Sequence, residues 1–240
     1  MKKLLVILAI LMCLSLTGCA GIVKLLYDAV DSDNPLSGKD TDERIIMCLE
    51  ETYPEHEFSV VESFDKTENK GLFCDENGIE FSVHDMVYDN IYHFGCSNDY
   101  LKTLLEKQDY ENKVREIAEE YGFDLESDDH TIGLDGYEIS TTDEADVITE
   151  MIQRILQCVD VPQIVYPKNV GSFSTGEVNY YSHPCWGNLI CIYHKDGLAC
   201  AMKFQFGDEN STEERIRNIV EEELYRLDKN IKEKNDGFAP

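Results

Sequence analysis

Residues 71–84 read Gly71-Leu72-Phe73-Cys74-Asp75-Glu76-Asn77-Gly78-Ile79-Glu80-Phe81-Ser82-Val83-His84. Two runs, Gly71 to Glu76 and Ile79 to His84, flank Asn77-Gly78, a dipeptide suited to the positive φ angles of a tight type I′ hairpin turn. Such a turn sets Glu76 against Ile79, Cys74 against Phe81 and Leu72 against Val83. Leu72, Cys74, Ile79, Phe81 and Val83 then fall on one face. Turn chemistry and hydrophobic pattern thus agree on an antiparallel hairpin.

Upstream, Phe58 to Phe64 supplies a further strand. Before it a helix starts at Asp40, whose carboxylate caps the backbone while Glu43 reaches back. Ile45, Cys48, Leu49 and Tyr53 form its apolar face and Pro54 stops it. Downstream, an irregular aromatic stretch runs from Met86 to Cys96, and Asp99 to Tyr121 is helical, ending at Gly122 in the place of a left-handed cap. The apolar phase slips near Gln108, since Leu101, Leu104 and Leu105 share one face while Val114, Ile117, Ala118 and Tyr121 share another. A kink or a division near Asp109 accounts for the slip. Phe123 to Leu125 and Tyr137 to Ile139 read as short strands around an acidic turn.

The second half opens with Thr141-Thr142-Asp143-Glu144, a second capping box, and Ile148, Met151, Ile152, Ile155 and Leu156 form a helical stripe. After Pro162 come a strand from Gln163 to Tyr166, a long loop, a strand from Leu189 to His194, a turn at Lys195-Asp196-Gly197, and a strand from Leu198 to Phe206. Leu198, Cys200, Met202, Phe204 and Phe206 alternate along that last strand, which buries one face. Ser211-Thr212-Glu213-Glu214 caps a closing helix with Ile216, Ile219, Val220, Leu224 and Leu227 inward.

Hairpins on short turns, without regular βαβ alternation, define an α+β fold: antiparallel hairpins with amphipathic helices packed on one side. The element order of the two halves also fits a duplicated α-β-β-β-α unit. The expected organisation is a signal peptide at 1–18, a lipid attachment and tether at 19–39, α+β halves at 40–140 and 141–232, and a loose tail at 233–240. Gly-rich phosphate loops are absent from the sequence, which argues against nucleotide binding.

The amino terminus gives the address. Lys2 and Lys3 precede a 13-residue apolar run from Leu4 to Leu16. That is the length of a signal-peptide core and short of the about 20 apolar residues that cross a bilayer. It ends in Leu16-Thr17-Gly18-Cys19, which resembles the lipobox of bacterial lipoproteins cut by the type II signal peptidase. The resemblance implies cleavage between Gly18 and Cys19, with a diacylglycerol on the Cys19 thiol. Two or more acyl chains hold a protein firmly at a membrane. The body resembles uncharacterised lipoproteins of Gram-positive bacteria, which implies the outer, extracytoplasmic face of the cell membrane.

The whole chain carries 21 basic and 48 acidic residues; removal of residues 1–18 takes Lys2 and Lys3 but no acid, leaving 19 against 48, or −29. Such a charge argues against nucleic acid as a partner and against adsorption to anionic headgroups, so the lipid makes the membrane contact. With 42% apolar residues, ten Phe and thirteen Tyr, the chain holds enough apolar surface for a packed core. Of nine cysteines, Cys13 leaves with the signal and Cys19 is lipidated, so seven remain and full pairing is excluded. Cys191 and Cys200 lie directly opposite and can bridge if their hairpin loop spans His194 to Gly197. They face opposite sides if it spans Lys195 to Gly197.

Asn179-Tyr180-Tyr181-Ser182-His183-Pro184-Cys185-Trp186-Gly187 concentrates two tyrosines, a histidine, a cysteine and the only tryptophan on one connection. An exposed patch of Tyr180, Tyr181, His183 and Trp186 suits a peptide or ligand. The alternative is that the rings cover one end of the core. His183 and Cys185 flank a proline, a poor geometry for base and nucleophile. His84, Asp85, His93, Cys96 and His183 lack the paired short spacing of a zinc site. Asp124, Glu126, Asp128, Asp129 and Asp135 lack the order of a calcium loop. No catalytic, cofactor or metal residue is assigned from sequence, and diacylglycerol is the one covalent group expected. The leading functional reading is a non-enzymatic, membrane-anchored protein that binds a protein or peptide at the cell surface. The alternatives are an envelope hydrolase whose site is assembled only in the fold, and an immunity lipoprotein that intercepts cationic peptides.

Overall fold

The computed structural model describes residues 34–89, 93–127, 131–139, 143–165, 179–208 and 211–236. Asp40 starts helix α1 (Thr41–Thr52) through the expected capping box: the Glu43 N–H donates to Asp40 Oδ1 at 2.9 Å and the Asp40 N–H to Glu43 Oε2 at 3.0 Å. Its apolar face is the one the spacing predicts, with Ile45, Cys48, Leu49 and Tyr53 buried. Then follow β1 (Phe58–Asp65), β2 (Lys70–Asp75), β3 (Glu80–Asp89), β4 (His93–Asn98), α2 (Tyr100–Lys107), α3 (Tyr110–Glu120), β5 (Phe123–Ser127) and β6 (Thr131–Tyr137). The chain closes with α4 (Glu144–Gln157), β7 (Asn179–Pro184), β8 (Asn188–Lys195), β9 (Leu198–Gln205) and α5 (Glu213–Asp236). The phase slip near Gln108 is a real division: Asp109 takes a left-handed φ of 54° between α2 and α3, and Gly122 ends α3 at φ 78°. The Thr141 cap lies outside the described residues.

The class is α+β, with two mixed sheets. One has the order β1-β2-β3-β4-β7 and the other β5-β6-β8-β9. Antiparallel hairpins dominate, but each sheet also holds one parallel pair, β4 with β7 and β6 with β8. Helix α1 packs on β1, β4 and β7, and α2 on β3 and β7. The second sheet is covered by α3 on β5 and by α5 on β9, with α4 packed between α3 and α5.

The 71–84 hairpin forms, but its register is shifted: Phe73 pairs with Phe81 and Gly71 with Val83, with the Asp75 N–H donating to the Ile79 carbonyl. Glu76, Asn77 and Gly78 therefore make a three-residue loop, with only Gly78 at positive φ, 75°. Asp75 causes this, since its Oδ1 accepts from the Asn77 and Ile79 N–H groups at 3.0 and 2.7 Å. Phe73, Phe81 and Val83 face the core, while Leu72 and Cys74 are half-buried on the other side. Around Gln163 only an isolated bridge forms, Ile164 with Asp208. Within the long loop lies an unforeseen strand, β7. Helix α5 runs to Asp236, past Lys232, where a loose tail was expected.

A buried polar knot fixes β7 beside β4. The Asn98 side-chain amide donates to Ser182 Oγ at 2.7 Å, and Asn98 Oδ1 accepts from the Tyr53 hydroxyl and the Tyr100 N–H, both at 3.1 Å. The Ser182 N–H donates to Thr52 Oγ1 at 3.0 Å. Buried polar atoms satisfied in this way specify one arrangement, because any other leaves them unpaired.

Candidate functional site

Strand register assembles a row of polar side chains on the face of the first sheet turned away from the helices. Lys70 pairs with His84, His84 with Ser97, and Ser97 with His183, and directly paired residues project to the same face. Two backbone hydrogen bonds carry the ladders one step further. The Asp99 N–H donates to the Ser82 carbonyl and the Cys185 N–H to the Asn98 carbonyl, each at 2.9 Å. By strand alternation Asp99 and Cys185 therefore join the face of His84.

His84 is the hub. Its Nε2 lies 3.1 Å from Asp99 Oδ1 and 3.6 Å from Cys185 Sγ, and its Nδ1 lies 3.0 Å from Asp85 Oδ2. Neighbours in a strand normally point to opposite faces, so the contact between His84 and Asp85 needs a break in the strand. Asp85 supplies it with φ 51°, at the start of the irregularity between the His84 and Tyr88 pairings. Asn69 holds the other end, its side-chain amide donating to Asp85 Oδ1 at 3.1 Å. The side chains of His84 and Asp99 are 28% and 32% exposed and that of Asp85 is 69% exposed, so the centre is a shallow surface site, open to solvent.

Burial disfavours protonation of His84, but the hydrogen bonds its ring donates to Asp85 and Asp99, together with their charges, outweigh it and raise the imidazole above its ordinary value. Burial pushes the Cys185 thiol up, Ser97 opposes the shift through a hydrogen bond, and the charges of Asp99 and Asp85 add to it. Cys185 is thus held as a neutral thiol, the reverse of the lowered thiol of a nucleophilic cysteine.

A second group of potential ligands, His56, Asp75 and Glu76, lies where β1 and the hairpin loop meet. Asp75 there is 4% exposed and already accepts from Asn77, Ile79 and the Tyr100 hydroxyl, the last at 2.9 Å. His56 pairs with Glu76 at 2.9 Å. That group is a satisfied structural knot.

Trp186 is 4% exposed and stands edge-on to Tyr110, with ring centroids 5.4 Å apart, so it covers the core and joins no exposed patch. Tyr180 is half-buried against the core, and the side chain of Tyr181 lies outside the described residues. His183 is exposed in the polar row, two strands from His84. The Cys185 thiol meets His84. Cys96 is buried on the inner face beside Ser182, and the His93 side chain, Gly18 and Cys19 lie outside the described residues. Asp124, Glu126 and Asp135 sit along the β5–β6 pair, with Asp135 Oδ1 2.7 Å from His194 Nε2.

Cys191 and Cys200 form no disulfide, and neither do the other five described cysteines. Lys195 pairs with Leu198 across a two-residue turn, which sets Cys191 opposite Met202 and Cys200 opposite Tyr193. The two cysteines are diagonal neighbours on one face, a placement that neither expected loop length gives.

Gly187 carries the chain from the first sheet to the second. Its φ is 106°, and a Cβ there would stand 2.3 Å from Leu101 Cδ2, so a side chain would be strained and would have to displace the buried Leu101. Sequence reasoning placed Asp99 only at the start of a helix, and it rejected His183 as a partner for Cys185 without finding His84. The available signal was the His84-Asp85 dipeptide, which gains meaning only once β3, β4 and β7 are in register.

Comparison with known proteins found no matching family model, no matching curated protein and no matching solved structure.

Proposed function

We propose that the chain is a membrane-anchored extracytoplasmic lipoprotein whose α+β body is a non-enzymatic binding module. The observation that carries the reading is the segment Lys2 to Cys19, in which two lysines, a 13-residue apolar run and Leu16-Thr17-Gly18-Cys19 occur in the order that lipid attachment requires. No helix among the described residues is long and apolar enough to cross a membrane, which is compatible with a lipid as the anchor. The binding reading draws support from the His84 centre, a shallow, part-exposed face with a neutral thiol. A hydrolase reading is favoured by one contact, Cys185 Sγ to His84 Nε2 at 3.6 Å. It is opposed by the raised thiol and by the engagement of the same nitrogen with Asp99.

Intact-protein mass spectrometry of the membrane fraction tests the anchor. The expected mass is that of a chain starting at Cys19 with diacylglycerol added, and this species disappears in Cys19→Ala. An unlipidated chain released to the medium overturns the proposal.

A further inference from the structure

We propose that His84, Asp99 and Cys185 bind a divalent transition-metal ion of the zinc class, with Asp85 as the carboxylate that orients His84. The inference rests on the folded sheet and goes beyond the anchored-binding reading.

Geometry carries it. Ligand atoms of the three residues all lie within 4.8 Å of one another. Zinc binds sulfur at about 2.3 Å and imidazole nitrogen or carboxylate oxygen at about 2.0–2.2 Å in a tetrahedron, so its donors stand about 3.6 Å apart for sulfur and nitrogen and about 3.3 Å for nitrogen and oxygen. Here Sγ to Nε2 is 3.6 Å and Nε2 to Oδ1 is 3.1 Å. An ion therefore enters with shifts of a few tenths of an ångström, and the thiol and Nε2 protons pass to solvent.

Donor chemistry selects the ion. One sulfur, one imidazole and one carboxylate suit zinc and its neighbours, whereas calcium and magnesium take oxygen ligands. Three protein donors on an open face leave the fourth position to water or to an incoming ligand. The surroundings match as well. A metal-bound histidine almost always gives its second ring nitrogen to a carboxylate or carbonyl, and Asp85 Oδ2 stands 3.0 Å from Nδ1. Asp85 is in turn held in a left-handed backbone by Asn69. A strained, supported residue whose effect is to aim one carboxylate at one imidazole is the pattern of a built site.

The test uses the full-length chain in detergent, stripped with a chelator and kept reduced with a phosphine, and titrated with Co²⁺ and then Zn²⁺. The expected result is one equivalent of Co²⁺ with a thiolate-to-cobalt charge-transfer band and the strong visible bands of four-coordinate cobalt, displaced by Zn²⁺. Cys185→Ala removes the charge-transfer band, with Cys185→Ser as the substitute if the alanine variant does not fold by circular dichroism. Asp85→Asn keeps the spectrum but weakens binding about 10–100-fold. Cys74→Ala, which removes another half-buried thiol of this sheet, changes nothing. No saturable binding of either ion, or a charge-transfer band that survives loss of Cys185, overturns the site. Neither result bears on the anchor, which the mass of the membrane-derived chain decides separately.

Discussion

Asn98 makes the strongest claim on its surroundings of any single side chain near the His84 centre. It is 1% exposed and serves Ser182, Tyr53 and the Tyr100 N–H at once. It also immediately precedes Asp99, so the knot that fixes β4 to β7 fixes a proposed metal ligand with it. Asn98→Ala removes these bonds and opens a small void. The expected loss is about 3 kcal/mol, read as a lower urea midpoint, together with weaker Co²⁺ binding. Cys200 gives a second prediction. Burial and then the charges of Glu223 and Asp228 push its thiol up to about 11, from 9.0. Because the thiolate is the reactive form, alkylation of Cys200 at pH 8 is slower in the native protein than in urea by a factor on the order of a hundred. Peptide mapping after timed labelling checks this, and equal rates would show that the thiol is not suppressed. At this scale the sequence disclosed little of the site. His84, Asp99 and Cys185 are separated by 15 and by 86 positions, and nothing local to any of them signals the other two.

Hairpins show what was legible at the scale of elements. The capping box of α1 and the stripes of α4 and α5 could be read directly, because caps and 3.6-residue periodicity are local. Both hairpins were also found, but their registers were not. Asn77-Gly78 favours a two-residue type I′ turn, yet the buried Asp75 binds two loop N–H groups and widens the loop to three residues. The type I′ geometry occurs at the other hairpin, where Asp196 and Gly197 have φ of 49° and 72°. One buried carboxylate thus decides which residues of β2 meet the core, and Phe73 rather than Leu72 and Cys74 does so. Asp75→Ala is expected to cost about 3 kcal/mol, since Tyr100 also donates to it. Gly78→Ala costs about 1–2 kcal/mol for the left-handed backbone alone. Asp196→Asn falls within about 0.5 kcal/mol of neutral, because Asn accepts the same conformation. Urea midpoints at constant slope rank the three, and a Gly78 effect larger than that of Asp75 would remove the carboxylate from its deciding role.

Across the whole molecule, the two halves read from element order do not own separate sheets. Strand β7, from the second half, completes the first sheet beside β4, and β5 and β6, from the first half, pair with β8 in the second. Parallel partners distant in sequence leave no local trace, and for that reason the stretch that forms β7 reads as a loop. The exchange has a consequence for stability. A chain cut at 140 leaves β4 with an open edge in one fragment, and in the other it strips β8 of β6 while β7 has nothing to pair with. Unpaired edges and split cores do not fold in isolation. Residues 40–140 and 141–232 produced separately should therefore be unfolded or aggregated, and the intact chain should unfold in one step. Trp186 is placed to report this, since it is the only tryptophan. It sits on the Cys185-Trp186-Gly187 crossing between the sheets, buried against Tyr110 with Lys102 Nζ 5.8 Å from its ring centroid. Its fluorescence senses the seam, while circular dichroism senses both sheets and the helices. Coincident urea transitions by the two probes are expected of a single cooperative unit. Two separated transitions would instead mean that each sheet is stable without the strand it borrows.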